Sequence, residues 1–168
     1  MASTDFLTGI NNKSAFLSKV TERLKTVNGQ TIAMLMIDID NFKSINDGYG
    51  HLIGDKILSE AAKILGEVWK SEVIIGRFGG DEFVIYSESL DMSSLKKKVA
   101  ETKEALTKIE SNLYKITCSI GAYITNIPEG VNELIEKADK AMYKVKRSGR
   151  NGCYISDRFA DEIQDEIQ

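Results

Sequence analysis

Proline is nearly absent from this chain: Pro128 is the only one among 168 residues, and no stretch rich in proline or serine marks a linker. With no linker and no internal repeat, residues 1–168 read as a single domain, long enough to bury roughly 70% of the surface its unfolded chain exposes. Cysteine is also scarce. Cys118 and Cys153 lie far apart with no ligand-like spacing, so neither a disulfide scaffold nor a cysteine metal site is indicated, and two reduced, semi-buried thiols are expected. No apolar run approaches the roughly 18 residues of a membrane span, and no signal peptide opens the chain, so a cytoplasmic protein is expected. A basic excess is missing too: 22 Lys and Arg against 25 Asp and Glu leave a net charge of -3, which argues against a dedicated nucleic-acid binder. A small anionic ligand held by a few local cations remains compatible with that balance.

What is present is regular patterning. Phe16, Leu17, Val20, Leu24 and Val27 recur every three or four residues, predicting an amphipathic helix after Asn11-Asn12. Ile32 to Ile37 is a continuous apolar run ending in Asp38-Ile39-Asp40, the pattern of a strand buried on both faces. A second helix follows His51, with Ile53, Ile57, Ala61, Ile64 and Val68 in one stripe. Val73 to Ile75 and Phe83 to Tyr86 read as a hairpin joined through Gly79-Gly80-Asp81-Glu82. Leu95, Val99, Thr102, Leu106 and Ile109 mark a third long helix. Ile116, Cys118, Ile120, Ala122 and Ile124 alternate as a half-buried strand. A last helix carries Val131, Leu134, Ala138, Met142 and Val145, stops near Gly149, and is followed by a brief strand at Tyr154-Ile155. Interleaved helices and strands with a central hairpin give an α/β or α+β domain, helices packed on a mixed sheet.

Three polar clusters carry candidate chemistry. Asp38-Ile39-Asp40-Asn41-Phe42-Lys43 places carboxylates at the end of a buried strand, where they are costly to desolvate without a cation. Arg77-Phe78-Gly79-Gly80-Asp81-Glu82-Phe83 sets two more at a turn whose glycines admit a close ligand. Lys146-Arg147-Ser148-Gly149-Arg150-Asn151 is a cationic helix end. Each has a plain alternative: strand-terminating acids, a solvated hairpin tip, and cations complementing a helix dipole.

Taken together these segments resemble the GGDEF family of diguanylate cyclases. The resemblance runs in family order from Asp5-Phe6-Leu7-Thr8-Gly9 through Asp38 to Asp47, Gly50-His51, Gly54-Asp55 and Arg77 to Phe83. It continues through Thr117 to Gly121, Ala138 to Lys146 and Gly149-Arg150-Asn151, covering about residues 5–155 and leaving an acidic tail at 156–168. It implies a palm-like nucleotidyl-cyclase fold, a central, mostly antiparallel sheet wrapped by helices. It also implies an enzyme condensing two GTP into cyclic di-GMP and two pyrophosphates. Asp38, the carbonyl of Ile39 and Asp81 would hold Mg²⁺, with Mn²⁺ as a substitute. Asp81 or Glu82 would take the 3′-hydroxyl proton, with Asp81 favoured. Backbone amides at Phe42 and Lys43, together with Lys146 and Arg150, would bind phosphates; Asn46 and Asp55 would bind guanine, with His51 in the same motif. Arg77 would support either the hairpin or the phosphates. Phe42 and Phe83 are expected to pack in the core.

Since the product needs two nucleotides, a weak, transient two-fold homodimer is expected, and no coiled coil is present to enforce it. A sensory domain is expected ahead of Asp5 in a longer protein. The family's inhibitory Arg-x-x-Asp, five residues before the paired glycines, reads Lys70-Ser71-Glu72-Val73 here, so product inhibition through that surface is not expected. Lys13 stands where the family often has arginine. The rival reading is a catalytically silent domain that senses GTP.

Overall fold

The computed structural model describes residues 2–70, 73–109 and 113–159. Ten elements follow in order: α1 (Lys13–Leu24), β1 (Ile32–Ile39), α2 (Phe42–Tyr49), α3 (His51–Val68), β2 (Val73–Arg77), β3 (Glu82–Glu88), α4 (Met92–Thr107), β4 (Cys118–Thr125), α5 (Val131–Arg147) and β5 (Gly152–Asp157). The five strands form one sheet in the order β2-β3-β1-β4-β5. All pairings are antiparallel except β4 with β5, which run parallel because α5 crosses over between them. The expected α+β architecture with a mostly antiparallel sheet is the one observed.

β1 is the central strand, buried along its whole length. Its alternate residues feed two cores. Ala33, Leu35, Ile37 and Ile39 face α3 and α4 with Ile57, Leu65, Leu95 and Val99. Ile32, Met34 and Met36 face α1 and α5 with Phe16, Val20, Leu134, Ala138 and Met142. Each fully buried aliphatic side chain contributes about 1.5–3 kcal/mol, so the sheet is fixed from both sides. Helix starts are set locally: the Asn12 side chain accepts from the Ala15 N–H at 2.9 Å, and Asp91 accepts from Ser94 at 2.7 Å.

Three expectations change. β4 is buried on both faces, not half-buried, because α5 covers the side carrying Ser119, Gly121 and Tyr123. At Gly121 a Cβ would sit 2.0 Å from the Met142 nitrogen and 2.5 Å from the Ala138 oxygen, so only glycine lets α5 lie this close. Second, Phe42–Tyr49 is a separate helix; α2 ends at Gly50 (φ 91), whose N–H donates to the Asn46 carbonyl at 2.8 Å before α3 begins. Third, α4 ends at Thr107, leaving Ile109 buried just beyond it. Among the described residues no helix is long and apolar enough to cross a membrane. Cys118 and Cys153 are free; the first is buried, its thiol pushed up to about 12 mainly by burial, while the second is exposed rather than semi-buried. Ser71 and Glu72 of the altered inhibitory window, and tail residues 160–168, lie outside the described residues.

Candidate active site

The sheet register joins the first two polar clusters. Asp38 of β1 stands directly opposite Glu82 of β3 and Ser119 of β4, and residues so paired have Cβ atoms about 4.5–5.5 Å apart. The β1–β3 pairing reaches one step further, since the Ile39 N–H donates to the Asp81 carbonyl at 3.2 Å. That contact sets Asp81 at the end of β1, near enough for its carboxyl to act on the titration of Asp38.

Asp38 is therefore crowded by negative charge. Burial, the Asp81 carboxyl and its charge raise Asp38 to about 6, and Lys146 offsets only part of this. The Lys146 ammonium pairs with Asp38 Oδ2. Burial works against that ammonium, yet the carboxylates around it hold its pKa above the usual lysine range. Glu82 is likewise raised, first by burial and then by the Asp38 charge, with Lys146 and Lys13 opposing. Asp38 Oδ1 is buried with no hydrogen-bond partner. A buried acceptor beside a second carboxylate suits a hard cation better than another donor-poor acid. Among the described residues no three His, Cys, Asp or Glu side chains form a closed metal cage. Two carboxylates at the end of a strand could instead serve in the open donor set that a hard divalent cation takes when a ligand's phosphates complete its shell.

The third cluster arrives through α5. Close packing at Gly121 brings its C-terminal turn, with Lys146, to the strand end, and Arg150 follows on an exposed turn. An open cleft of about 710 Å³ extends from Arg150 along β5, lined by Lys144, Arg147 and Tyr154.

Beyond Asp38 the chain turns at Asn41, which adopts a left-handed conformation (φ 55) and gives α2 no side-chain cap. Phe42 and Lys43 are the first two residues of that helix, where N–H groups lack intrahelical acceptors. The Phe42 ring packs in the core, as expected, and so does Phe83; Lys43 is exposed. Asn46, on α2, has its Oδ1 buried and unpartnered. That oxygen lies 1.8 Å from where a Cβ on Gly54 would be, so the glycine of α3 makes room for it. Asp55 follows, exposed, as the fifth residue of α3, past its first turn. His51 opens α3 and faces solvent.

Arg77 is turned away from the strand end and toward the hairpin. Its guanidinium donates to the Gly80 carbonyl at 2.8 Å, to the Gly79 carbonyl at 3.2 Å, and to Asp5 at 3.0 and 3.1 Å. Thr8 also donates to Asp5, through its N–H at 2.9 Å and its hydroxyl at 2.6 Å. Sequence reading left Asp5 without a role; its position on a turn far from the hairpin gave no signal. Lys13 lies 5.4 Å from the Phe78 ring centroid, on the same side as Glu82.

Sheet order, paired aspartates and cationic helix end together define a palm-like nucleotidyl-cyclase domain. Residues 2–152 match the family described as "Diguanylate cyclase, GGDEF domain", and the chain belongs to that family. It is 36% identical over 167 residues to diguanylate cyclase A of Treponema denticola, covering 93% of this chain and 45% of the relative. It is 35% identical over 159 residues to diguanylate cyclase DgcS of Shewanella oneidensis, covering 91% and 52%. The chain thus spans about half the length of these curated relatives. Among solved structures, the coiled coil and GGDEF domain of DgcB from Caulobacter crescentus, in complex with c-di-GMP, superposes with a TM-score of 0.85 at 28% identity. That match covers 92% of this chain and 85% of DgcB's.

Proposed function

We propose that this domain is a diguanylate cyclase that joins two GTP molecules into cyclic di-GMP, releasing two pyrophosphates. The observation that carries the reading is the Asp38 carboxyl at the end of a buried strand, with one oxygen buried and unpartnered and Asp81 close enough to raise its pKa. Asp38, the Ile39 carbonyl and Asp81 would hold Mg²⁺, with Mn²⁺ as a substitute. A bound divalent ion supplies charge neutralisation at the α-phosphate and lowers the pKa of an attacking hydroxyl.

The chain's own residues do the rest. The first amides of α2, at Phe42 and Lys43, receive phosphate oxygens. Lys146 has its ammonium already at the strand end and reaches the terminal phosphate together with Arg150. Asn46 Oδ1 accepts from the guanine amine, and Asp55 accepts from the adjacent donors of the same edge; His51 belongs to the same rim. Asp81 takes the 3′-hydroxyl proton, with Glu82 beside it. Each domain holds one nucleotide, so two loaded copies meet two-fold, each 3′-hydroxyl facing the other's α-phosphate. Catalysis is positioning and electrostatic stabilisation of the pentacoordinate phosphorus.

Incubation of the purified chain with GTP and Mg²⁺, followed by mass spectrometry, tests this directly. Cyclic di-GMP and pyrophosphate are expected. GTP bound tightly with no product formed would support the rival, a silent GTP-sensing domain.

A further inference from the structure

Two residues past Asp38, Asp40 is 4% exposed and has both oxygens engaged. Oδ1 accepts from the Ser119 hydroxyl at 2.7 Å. Oδ2 accepts from the Thr117 hydroxyl at 2.7 Å and from the Asn151 backbone N–H at 2.9 Å. A carboxylate meeting three donors in the interior is well satisfied, which sets Asp40 apart from Asp38 and its orphaned oxygen. The donors differ in what they hold. Ser119 and Thr117 tie β1 to the start of β4, which the sheet ladder already joins. Asn151 belongs to the turn after α5, which no ladder holds at that point.

That turn has an uncommon backbone. Gly149, Arg150 and Asn151 have φ of 107°, 65° and 49° in succession. Two consecutive non-glycine residues in the left-handed region persist only where something holds them. Two contacts do so: the Arg150 N–H donates to the Val145 carbonyl at 3.0 Å, and the Asn151 N–H donates to Asp40. The second is charge-assisted, hence the stronger.

We propose that Asp40 is a positioning residue for the terminal-phosphate end of the nucleotide site. Through the Asn151 N–H it fixes the left-handed turn that presents Arg150 beside Lys146. The inference rests on the reading of Arg150 as a phosphate cation. It carries a sign that a charge effect would not. Removing a negative charge near a triphosphate site strengthens anion binding by simple Coulomb attraction, whereas loss of positioning weakens it.

The test is calorimetric titration, in Mg²⁺, of a GTP analogue with a methylene between the α- and β-phosphorus, alongside GDP. Asp40→Ala is expected to weaken the triphosphate analogue about tenfold, the worth of one charge-assisted hydrogen bond, and to leave GDP nearly unchanged. Arg150→Ala should do the same, and the double variant should bind no more weakly than Arg150→Ala alone. Thr117→Val with Ser119→Ala, which spares the Asn151 contact, should bind as wild type does. Amide exchange at Asn151 should accelerate in Asp40→Ala while Ile120 and Ala122 stay protected. If Asp40→Ala does not fold, Asp40→Asn keeps the volume and should show a smaller loss of the same kind. Unchanged or tighter triphosphate binding in a folded Asp40 variant, additive losses in the double variant, or an unaltered Asn151 amide would each overturn the proposal while leaving the cyclase reading intact. A wild-type chain that binds no GTP analogue would overturn both.

Discussion

Arg77 grips Asp5 across 72 residues of sequence and, with the same guanidinium, holds the carbonyls of Gly79 and Gly80. The turn that bears Asp81 and Glu82 is thus fastened to the segment leading into α1. Asp5 is desolvated, which raises its pKa, yet the Thr8 and Arg77 hydrogen bonds outweigh this and leave it below the usual aspartate value. Asp5→Ala strands a largely buried guanidinium and frees the turn. Stability should fall by about 1–3 kcal/mol, read from urea denaturation, and kcat for cyclic di-GMP should fall further than KM rises. Wild-type kcat in a destabilised Asp5→Ala protein would show that the clamp serves the fold alone.

Asp81→Ala addresses the cation site. Asp81 is only half-buried at a hairpin tip, so its loss removes little packing. The melting temperature should stay within a few degrees of wild type or rise slightly, because Asp38 is relieved of a like charge. Product formation should be lost, and Mg²⁺ affinity in the presence of the triphosphate analogue should drop. Retained turnover would remove Asp81 from the metal and base roles together.

Much of this was legible in the sequence, and the misses share a cause. The buried strand, the hairpin and the long amphipathic helices declare themselves by periodicity. α2 does not, because Asn46, Asp47 and Gly48 are poor helix formers and only the burial of Phe42 and Ile45 holds it. β4 read as half-buried because Gly121 contributes no side chain to the pattern, while its backbone is the very surface α5 packs on. The site followed the same division. The acidic and basic clusters were visible as strings, but the pairing of Asp38 with Glu82 is a matter of register. Asp40 takes its donors from 77, 79 and 111 residues downstream, a distance no local pattern spans.

The raised Asp38 pKa gives a pH signature. Because its folded value of about 6 lies above the unfolded 3.8, the folded state retains the proton longer than the unfolded chain does. The metal-free protein should therefore lose stability as pH rises from about 4 to about 6, then level off, as far as this group is concerned. Asp38→Asn should flatten that slope. Mg²⁺ held by Asp38 would require the ionised carboxylate, so its affinity should fall as pH drops below about 6 and its binding at pH 6 should release about half a proton. Calorimetry in buffers of different ionisation enthalpy measures that release; none at pH 6 would place the cation away from Asp38.

Base choice tests the other end of the nucleotide. Guanine presents N1–H and an exocyclic amine side by side, two donors, and on the proposed reading they meet Asn46 Oδ1, which is buried and unpartnered against Gly54, and the carboxylate of Asp55, the exposed residue after that glycine. Adenine offers an unprotonated N1 on the corresponding edge, which would face a carboxylate lone pair. An acceptor left so unmatched costs about 1–3 kcal/mol, and repulsion adds to it. Asp55→Ser should therefore raise KM for GTP and let some adenine-containing dinucleotide form. Gly54→Ala should be more damaging still, since its Cβ would occupy the place of Asn46 Oδ1. It should cost guanine affinity with a smaller change in the binding of inorganic triphosphate, because Lys146 and Arg150 are untouched. Competition between GTP and ATP, with products separated by mass, gives the ratio directly. An Asp55→Ser protein with an unaltered GTP-to-ATP preference would leave Asp55 as an ordinary exposed acid on α3 and move guanine recognition elsewhere.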